Sequence, residues 1–346
     1  MSLRIVLVNP TREPGGTKVY LNGLVNGLRA RDVEVVEVGG LRALGNALRV
    51  GPDALVHAVG CLPSAVVLTA LSVARARGSA TVWTPIFHPS RPRTYGRSVP
   101  HVAMRVFDRY APRLACISGA VIALTEEEQL YFRDIVGRDV ELIPPGTDGV
   151  TSPVSDAGTA DFRARHGLDS GPIVLVLGRS SPRHKGLAFC LDTFADLRAV
   201  VPDAQLVFVG GLGAGVVADR VHALGWVSDA DRDAALAAAA VVFVPSAYEA
   251  LSIAVIEAWT AGVPVVATDR VALAPLVERE HAGWVVPFGN RRVGAPTLAA
   301  ALRDTEARAF AVSRGRTLAA ERFANDAFVD NTLDVYERLV SARAAG

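Results

Sequence analysis

Val241-Val242-Phe243-Val244-Pro245-Ser246-Ala247-Tyr248-Glu249-Ala250-Leu251-Ser252-Ile253-Ala254-Val255-Ile256-Glu257-Ala258 reads as a buried strand, a loop and a buried helix in direct succession. The first four residues form a short β-branched and aromatic run. Ser252 is placed to cap the helix, and Gly262 and Pro264 are ordinary helix-stop signals. Glu249 then falls in the loop at the mouth of the helix, with Glu257 about one and a half turns inside. Unpaired N–H groups and the positive end of the helix dipole at such a mouth suit an anionic phosphate. Ile253, Ala254, Val255, Ile256 and Ala258 make the helix apolar on nearly every side, so Glu257 needs a partner there. Two surface glutamates on an amphipathic helix are the plainer alternative.

Outward from this segment the same alternation repeats. Strands are expected at Arg4 to Val8, Val33 to Val38, Ala54 to Val59, Ala80 to Trp83, Val121 to Thr125 and Val140 to Ile143. A loose stretch rich in Gly, Ser, Thr and Asp, Gly146 to Ala160, has the composition of a linker. A second series follows at Ile173 to Leu177, Leu206 to Val209, Val241 to Val244, Val263 to Ala267 and Gly283 to Val286. Strands alternating with helical patterns predict two parallel, doubly wound α/β sheets of the Rossmann type. Such sheets bind ligands beyond the carboxyl ends of their strands, so a central cleft faced by the two domains is the expected site. The domains are read as 1–150 and 151–324. Residues 325–346 form a closing helix, with Val329, Leu333, Tyr336 and Val340 at helical spacing.

The 346 residues, half of them apolar, suffice for two cores of roughly 150 to 170 residues each. Thirty-six basic against 35 acidic residues leave a net charge of +1, so no global field favours nucleic acid or an anionic membrane, and a small partner is expected. Cys61, Cys116 and Cys190 lack metal-ligand spacing and sit in apolar runs, as reduced core thiols do. No signal peptide is read at Met1 to Asn9, and every long apolar stretch is broken before the ~20 residues of a membrane span. A cytoplasmic location is the expectation. Only two of the basic residues are lysines, Lys18 and Lys185. A lysine kept against so strong an arginine bias is a better functional candidate than usual.

Lys185 closes the loop Gly178-Arg179-Ser180-Ser181-Pro182-Arg183-His184-Lys185-Gly186, which follows a strand and precedes an apolar helix. Arg179 and Lys185 bracket this turn and can neutralise a pyrophosphate, Arg by its planar fork and Lys as a point charge. Solvated surface residues are the alternative. Gly15 and Gly16, after the first strand, would let backbone N–H groups approach a phosphate closely, or simply make a turn. His88, in Thr84-Pro85-Ile86-Phe87-His88-Pro89, follows a strand at the same face of the first sheet and can bond a sugar hydroxyl. A lone loop histidine is more often structural or exposed.

The order GG, FHP, GRxxxxxKG and ExxxxxxxE, followed by AxxAGVPVVATD, resembles the retaining glycosyltransferases of family 4, which have the GT-B fold. The likeness runs over nearly the whole chain. Ile143-Pro144-Pro145-Gly146-Thr147-Asp148 resembles the family's end of the first domain, and Gly225-Trp226-Val227-Ser228 its base-binding segment. The resemblance implies a nucleoside-diphosphate-sugar donor, no cofactor and no metal, and a terminal helix that returns to the N-terminal domain. It implies that Arg179 and Lys185 stabilise the leaving diphosphate. Glu257 would hold the ribose, Glu249 would contact the transferred sugar and Val227 would lie beside the base. Gly15, Gly16, Leu251 and Ser252 would line the phosphates, and His88 would touch the donor sugar. The family often has glycine two or three positions after the first glutamate, whereas Ala250-Leu251-Ser252 stands here, which changes the donor-sugar pocket.

Several rival patterns are present. Asp229-Ala230-Asp231 matches a metal-binding DxD, but Ser228 and Asp229 also read as the cap and first turn of a helix through Ala240. Gly211-Leu212-Gly213-Ala214-Gly215 invites a dinucleotide reading and an NAD-dependent enzyme, although Val216 occupies the third glycine position. A nucleotide-sugar epimerase of the same fold is the nearest competitor. A non-catalytic sugar-binding protein would share the architecture. The stretch Arg91 to Arg113 carries six arginines against one aspartate, Asp108. A solvated helix face explains it, with an anionic acceptor or a membrane surface as the alternative. The acceptor class is read as a bacterial specialised metabolite or a glycolipid.

Overall fold

The computed structural model describes residues 3–9, 15–39, 54–60, 64–88, 110–147, 154–178, 184–211, 218–250 and 252–344. The chain divides into two units, Met1–Gly146 with Ala324–Gly346, and Thr147–Phe323.

The first unit runs β1 (Arg4–Asn9), α1 (Gly16–Arg29), β2 (Glu34–Gly39), β3 (Ala54–Val59), α2 (Ser64–Ala76), β4 (Ala80–Thr84), β5 (Ala120–Ala123), α3 (Glu126–Val136) and β6 (Glu141–Leu142). Its strands pair in parallel in the order β2-β1-β3-β4-β5-β6. The strands β3, β4 and β5 are buried along their whole length, which is why they read as continuous apolar runs. Each valine or isoleucine so buried contributes about 1.5–3 kcal/mol. The strand order reverses between β1 and β3, which places the Gly15-Gly16 turn at a topological switch point.

The second unit continues with α4 (Asp156–Arg165), β7 (Ile173–Leu177), α5 (Leu187–Arg198), β8 (Gln205–Val209), β9 (Val221–Ala223), α6 (Asp229–Ala238), β10 (Ala239–Val244), α7 (Ile253–Ala261), β11 (Val265–Thr268), α8 (Ala274–Arg279), β12 (Trp284–Val286), α9 (Arg291–Arg303) and α10 (Thr305–Arg322). Its parallel order is β12-β11-β10-β7-β8-β9. Here the reversal falls between β7 and β10, so the loops leaving these two strands flank the switch point. Those loops carry Lys185 and Glu249.

The last helix, α11 (Asn325–Ala344), belongs to the first unit. Phe328, Val329, Thr332, Val335 and Tyr336 are its buried face. Of the four residues expected to pack, Val329 and Tyr336 do. Leu333 is only half-buried and Val340 is exposed, because they lie at the edge of the stripe centred on Phe328, Thr332 and Tyr336. The Tyr336 hydroxyl joins a fully buried polar cluster. His57 Nδ1 lies 2.6 Å from Tyr336 Oη, and His57 Nε2 lies 2.8 Å from Thr84 Oγ1. Burial pushes the His57 imidazolium down to about 3, so the ring is neutral. Tyr336→Phe should leave a buried ring nitrogen unpaired and cost about 1–3 kcal/mol, measurable by denaturant unfolding; an unchanged midpoint would contradict this packing.

Several boundaries differ from the expectation. The Gly146 to Ala160 linker is partly helical, since Ser155 caps α4 by accepting from Gly158 N and Asp156 occupies its first turn. The helix expected through Ala240 ends at Ala238, because Ala239 already pairs with Ile173 of β7. Cys190 is a buried thiol as expected, but Cys116 is exposed, being on the outward side of a helical stretch; Cys61 lies outside the described residues. Most of Arg91 to Arg113 lies outside them too, although the Arg113 guanidinium is placed 5.8 Å from the Tyr110 ring centroid. Among the described residues no helix is long and apolar enough to cross a membrane.

Candidate active site

The site builds up at the β7/β10 switch point of the second unit. Arg179 lies outside the described residues, and the loop re-enters at His184-Lys185-Gly186. Gly186 has φ +64°, and a Cβ there would stand 2.0 Å from the Pro245 carbonyl oxygen. No other residue fits that approach without moving backbone. His184 O accepts from Ala247 N at 3.0 Å, so the turn bearing Lys185 is fastened directly to the loop bearing Glu249.

The Lys185 ammonium forms an ion pair with the Glu249 carboxylate. Ser246 Oγ donates to the same carboxylate oxygen at 2.8 Å, and the Ser246 carbonyl accepts from Thr268 Oγ1 at 2.5 Å. The backbone of Glu249 is held as firmly. Its N–H donates to Arg270 O at 3.1 Å, and its carbonyl accepts from Ala272 N at 2.9 Å. A cation and a carboxylate are thus fixed together, about a quarter and an eighth exposed, at the carboxyl ends of two adjacent strands.

Ser252 is the N-cap of α7, as its position suggested, but its side chain makes no capping bond and no acidic residue stands in the first turn. The N–H of Val255 bonds the Ser252 carbonyl at 3.1 Å, and the positive end of the helix dipole meets no acidic side chain in the first turn. Leu251 lies outside the described residues. The helix ends at Gly262 in the left-handed conformation. Glu257, one turn in from Ile253, is buried, and it has the partner that its position demanded: Arg232 of α6, at 3.6 Å. The same guanidinium reaches Asp229 at 3.2 Å and Asp233 at 3.3 Å. Burial pushes the Glu257 carboxyl up to about 7, Arg232 pulls it down, and Asp233 and Asp229 push it further up. The folded protein keeps this proton to a higher pH than an unfolded chain does, so Glu257 favours folding less as the pH rises from about 4.5 towards 7.

Val227 is half-buried in the connection from β9 to α6, next to Trp226, which is 54% exposed. The indole lies against Gly211 at the end of β8, where an added Cβ would stand 3.3 Å from Nε1. The remainder of the Gly211 to Gly215 pattern lies outside the described residues. The DxD pattern is resolved as a helix start: Ser228 Oγ accepts from Asp231 N at 3.1 Å. Both carboxylates are engaged by arginines, Asp231 with Arg165 at 2.8 Å and Asp229 with Arg232 at 3.2 Å.

In the first unit, Gly15 has φ +150°, and its carbonyl accepts from Lys18 N at 2.8 Å as α1 begins at Gly16. The first turn of α1 has no acidic residue. His88 is buried, with Nδ1 3.3 Å from Glu127 Oε2. Lys185, Glu249 and Ser252 are thus brought to one switch point and Glu257 one turn behind it, while Gly15, Gly16 and His88 belong to the other unit. Sequence reasoning missed Ser246 and Arg232, which hold Glu249 and Glu257, and the Glu127-Glu128 pair beneath His88. Thr125-x-x-Glu128, a capping-box pattern, was the one available signal for the last.

Both sheets and their helices define the GT-B fold, and the chain shares it with the Anabaena protein HepE solved with UDP and glucose. That structure has a TM-score of 0.79 at 19% identity, over 97% of this chain and 100% of the other. Residues 171–304 match the family profile described as glycosyl transferases group 1. A phosphatidyl-myo-inositol mannosyltransferase of Mycobacterium leprae is 29% identical over 231 residues, 64% of this chain and 59% of the relative. An alpha-D-kanosaminyltransferase of Streptomyces kanamyceticus is 29% identical over 195 residues, 54% and 50% of the two chains. The chain thus spans between half and three fifths of the length of these relatives.

Proposed function

We propose that this protein is a retaining, metal-independent glycosyltransferase resembling family 4, which moves a sugar from a nucleoside-diphosphate donor to an acceptor hydroxyl. The observation that carries the reading is the fastening of Lys185 and Glu249 together beside the N-terminus of α7, which lacks a side-chain cap, at the switch point of the second unit. All three lie within the segment that matches the glycosyl transferases group 1 profile. Breaking the bond from the anomeric carbon to the phosphate oxygen leaves the electron pair, and the negative charge, on that oxygen. Lys185, held against Glu249, together with Arg179 and the amide groups at Leu251 and Ser252, supplies the positive charge that lowers this barrier. The acceptor oxygen adds to the anomeric carbon on the face the phosphate leaves, and its proton passes to the departing phosphate oxygen.

The other roles follow the same reading. Glu257 accepts the ribose hydroxyls, Val227 lies beside the base, Glu249 contacts the transferred sugar and His88 bonds one of its hydroxyls. Gly15 and Gly16 give N–H groups to the phosphates. The acceptor is proposed to be a glycolipid or a bacterial specialised metabolite, the two classes that the names of the mannosyl- and kanosaminyltransferase relatives suggest. The reaction would take place in the cytoplasm.

A thermal-shift screen of UDP-, GDP-, ADP- and dTDP-sugars, run with a chelator present, tests the donor class. One series should raise the melting temperature, and product analysis should then show a glycoside of retained configuration only when an acceptor is added. A C-epimerised sugar nucleotide formed without acceptor would instead establish an epimerase. The acidity of Glu257 gives a second expectation. The carboxylate accepts two ribose hydroxyls, whereas the protonated acid accepts poorly. The donor KM should therefore rise as the pH falls through about 7, with kcat little changed. Glu257→Gln should make that KM flat with pH; a profile unaltered by the substitution would remove Glu257 from the ribose.

A further inference from the structure

Three adjacent strand exits of the second unit are joined by one chain of polar contacts. Thr268, the last residue of β11, donates its hydroxyl to the Ser246 carbonyl just beyond β10, and Ser246 donates its own hydroxyl to Glu249 Oε2 at 2.8 Å. The same oxygen takes the ammonium of Lys185, which lies beyond β7. These strands stand side by side in the order β11-β10-β7, so the chain of contacts crosses the carboxyl end of the sheet. Thr268 is fully buried and Ser246 is 1% exposed, so neither hydroxyl can turn to water.

Both donors to Glu249 fall on one oxygen. An ionised carboxylate is an acceptor at each of its two oxygens. Here Oε2 is loaded twice, and among the described residues nothing bonds Oε1, although the Glu249 side chain is only an eighth exposed. The backbone of Glu249 is tied at both its N–H and its carbonyl, which leaves rotation of the side chain as the remaining freedom of the carboxylate. Lys185 alone would limit that rotation weakly, because an ammonium on a flexible four-carbon stem is a point charge without a preferred direction. Ser246, on a short side chain and a tied loop, supplies the direction.

We infer that Ser246 is a positioning residue, anchored by Thr268, which holds Glu249 by Oε2 so that Oε1 is the oxygen offered to a hydroxyl of the transferred sugar. The effect on sugar transfer rests on the proposed contact between Glu249 and that sugar. The fixing of Glu249 and Lys185 does not.

Ser246→Ala removes the hydroxyl but keeps the carbonyl that Thr268 bonds, so the loop stays tied. With the sugar nucleotide selected by the thermal-shift screen, this variant should lower kcat/KM about tenfold in the otherwise native protein and less than about twofold in a Glu249→Ala background. Equal losses in both backgrounds would show a general structural role and overturn the inference. Thr268→Val should follow the same pattern, and Thr268→Ser, which keeps the donor, should recover most of the loss; a Thr268→Ser variant as impaired as Thr268→Val would overturn the anchoring.

The second readout needs no donor. Lys18 and Lys185 are the two lysines of the chain, so the full chain labelled with 13C-lysine gives two sets of side-chain signals, and Lys185 is assigned by their loss in Lys185→Ala. A held ammonium makes the two Hε protons of Lys185 inequivalent, and Glu249→Ala should merge them. Ser246→Ala should reduce that splitting by about half or more, because the remaining ion pair joins two flexible side chains. An unchanged splitting in Ser246→Ala would overturn the inference even if turnover falls. If Glu249→Ala leaves kcat/KM intact, the sugar contact fails and the Lys185 signal alone decides the positioning. Should Ser246→Ala fail to fold, Thr268→Val, which conserves side-chain volume, carries both readouts.

Discussion

Lys185→Ala is expected to lower kcat by about 10²–10³, the usual loss when one fixed charge or donor is removed from a developing oxyanion. The ammonium is held a quarter exposed against Glu249, on a turn that Gly186 and the His184 carbonyl lock to the neighbouring loop. On the proposed reading it meets the leaving phosphate without reorganising. Lys185→Arg should recover little, since the guanidinium is longer and forked. Arg179→Ala should behave like Lys185→Ala. Glu257→Ala, at saturating donor, should cost far less in turnover, because a ribose contact is made equally in the ground and transition states. Steady-state kinetics of the three variants at saturating donor check this ordering; similar kcat losses in all three would undo the assignment of roles.

The second large effect is expected at Glu249. Glu249→Ala should lower kcat/KM by about 10²-fold, through loss of a contact on the transferred sugar and release of Lys185 from its fixed position. The two losses share one ion pair, with Ser246 Oγ 2.8 Å from the same carboxylate oxygen. The Lys185→Ala/Glu249→Ala double variant should therefore be less impaired than the product of the single effects. A multiplicative loss would mean that the two residues act independently, and the fastening seen between them would have no catalytic meaning.

How far the fold could be read in advance depended on the strand. The runs Ala54–Val59 and Ile173–Leu177 were legible to the residue, because a parallel strand buried on both faces admits little but β-branched and aliphatic side chains. The strand Val221–Ala223 was not. It is three residues long and interrupted by His222, and it exists because Leu206 to Phe208 offer it a ladder. The alanine run before Val241 carries no period of its own, so pairing with β7, not propensity, sets where helix gives way to strand. At the site, the glycine after Lys185 and the spacing of the two glutamates marked two loops that the structure fastens together. Ser246 and Arg232 did not stand out, since a serine after proline and one arginine among many gain meaning only from the carboxylates they meet.

Calorimetric titration of nucleoside diphosphates in the presence of a chelator tests the central claim most directly. One nucleoside diphosphate should bind the native protein without added metal, and Lys185→Ala should weaken that binding at least tenfold, about 1.4 kcal/mol. Binding that appears only when magnesium is supplied, or that is unchanged in Lys185→Ala, would contradict a diphosphate site built from this lysine and the amide end of α7.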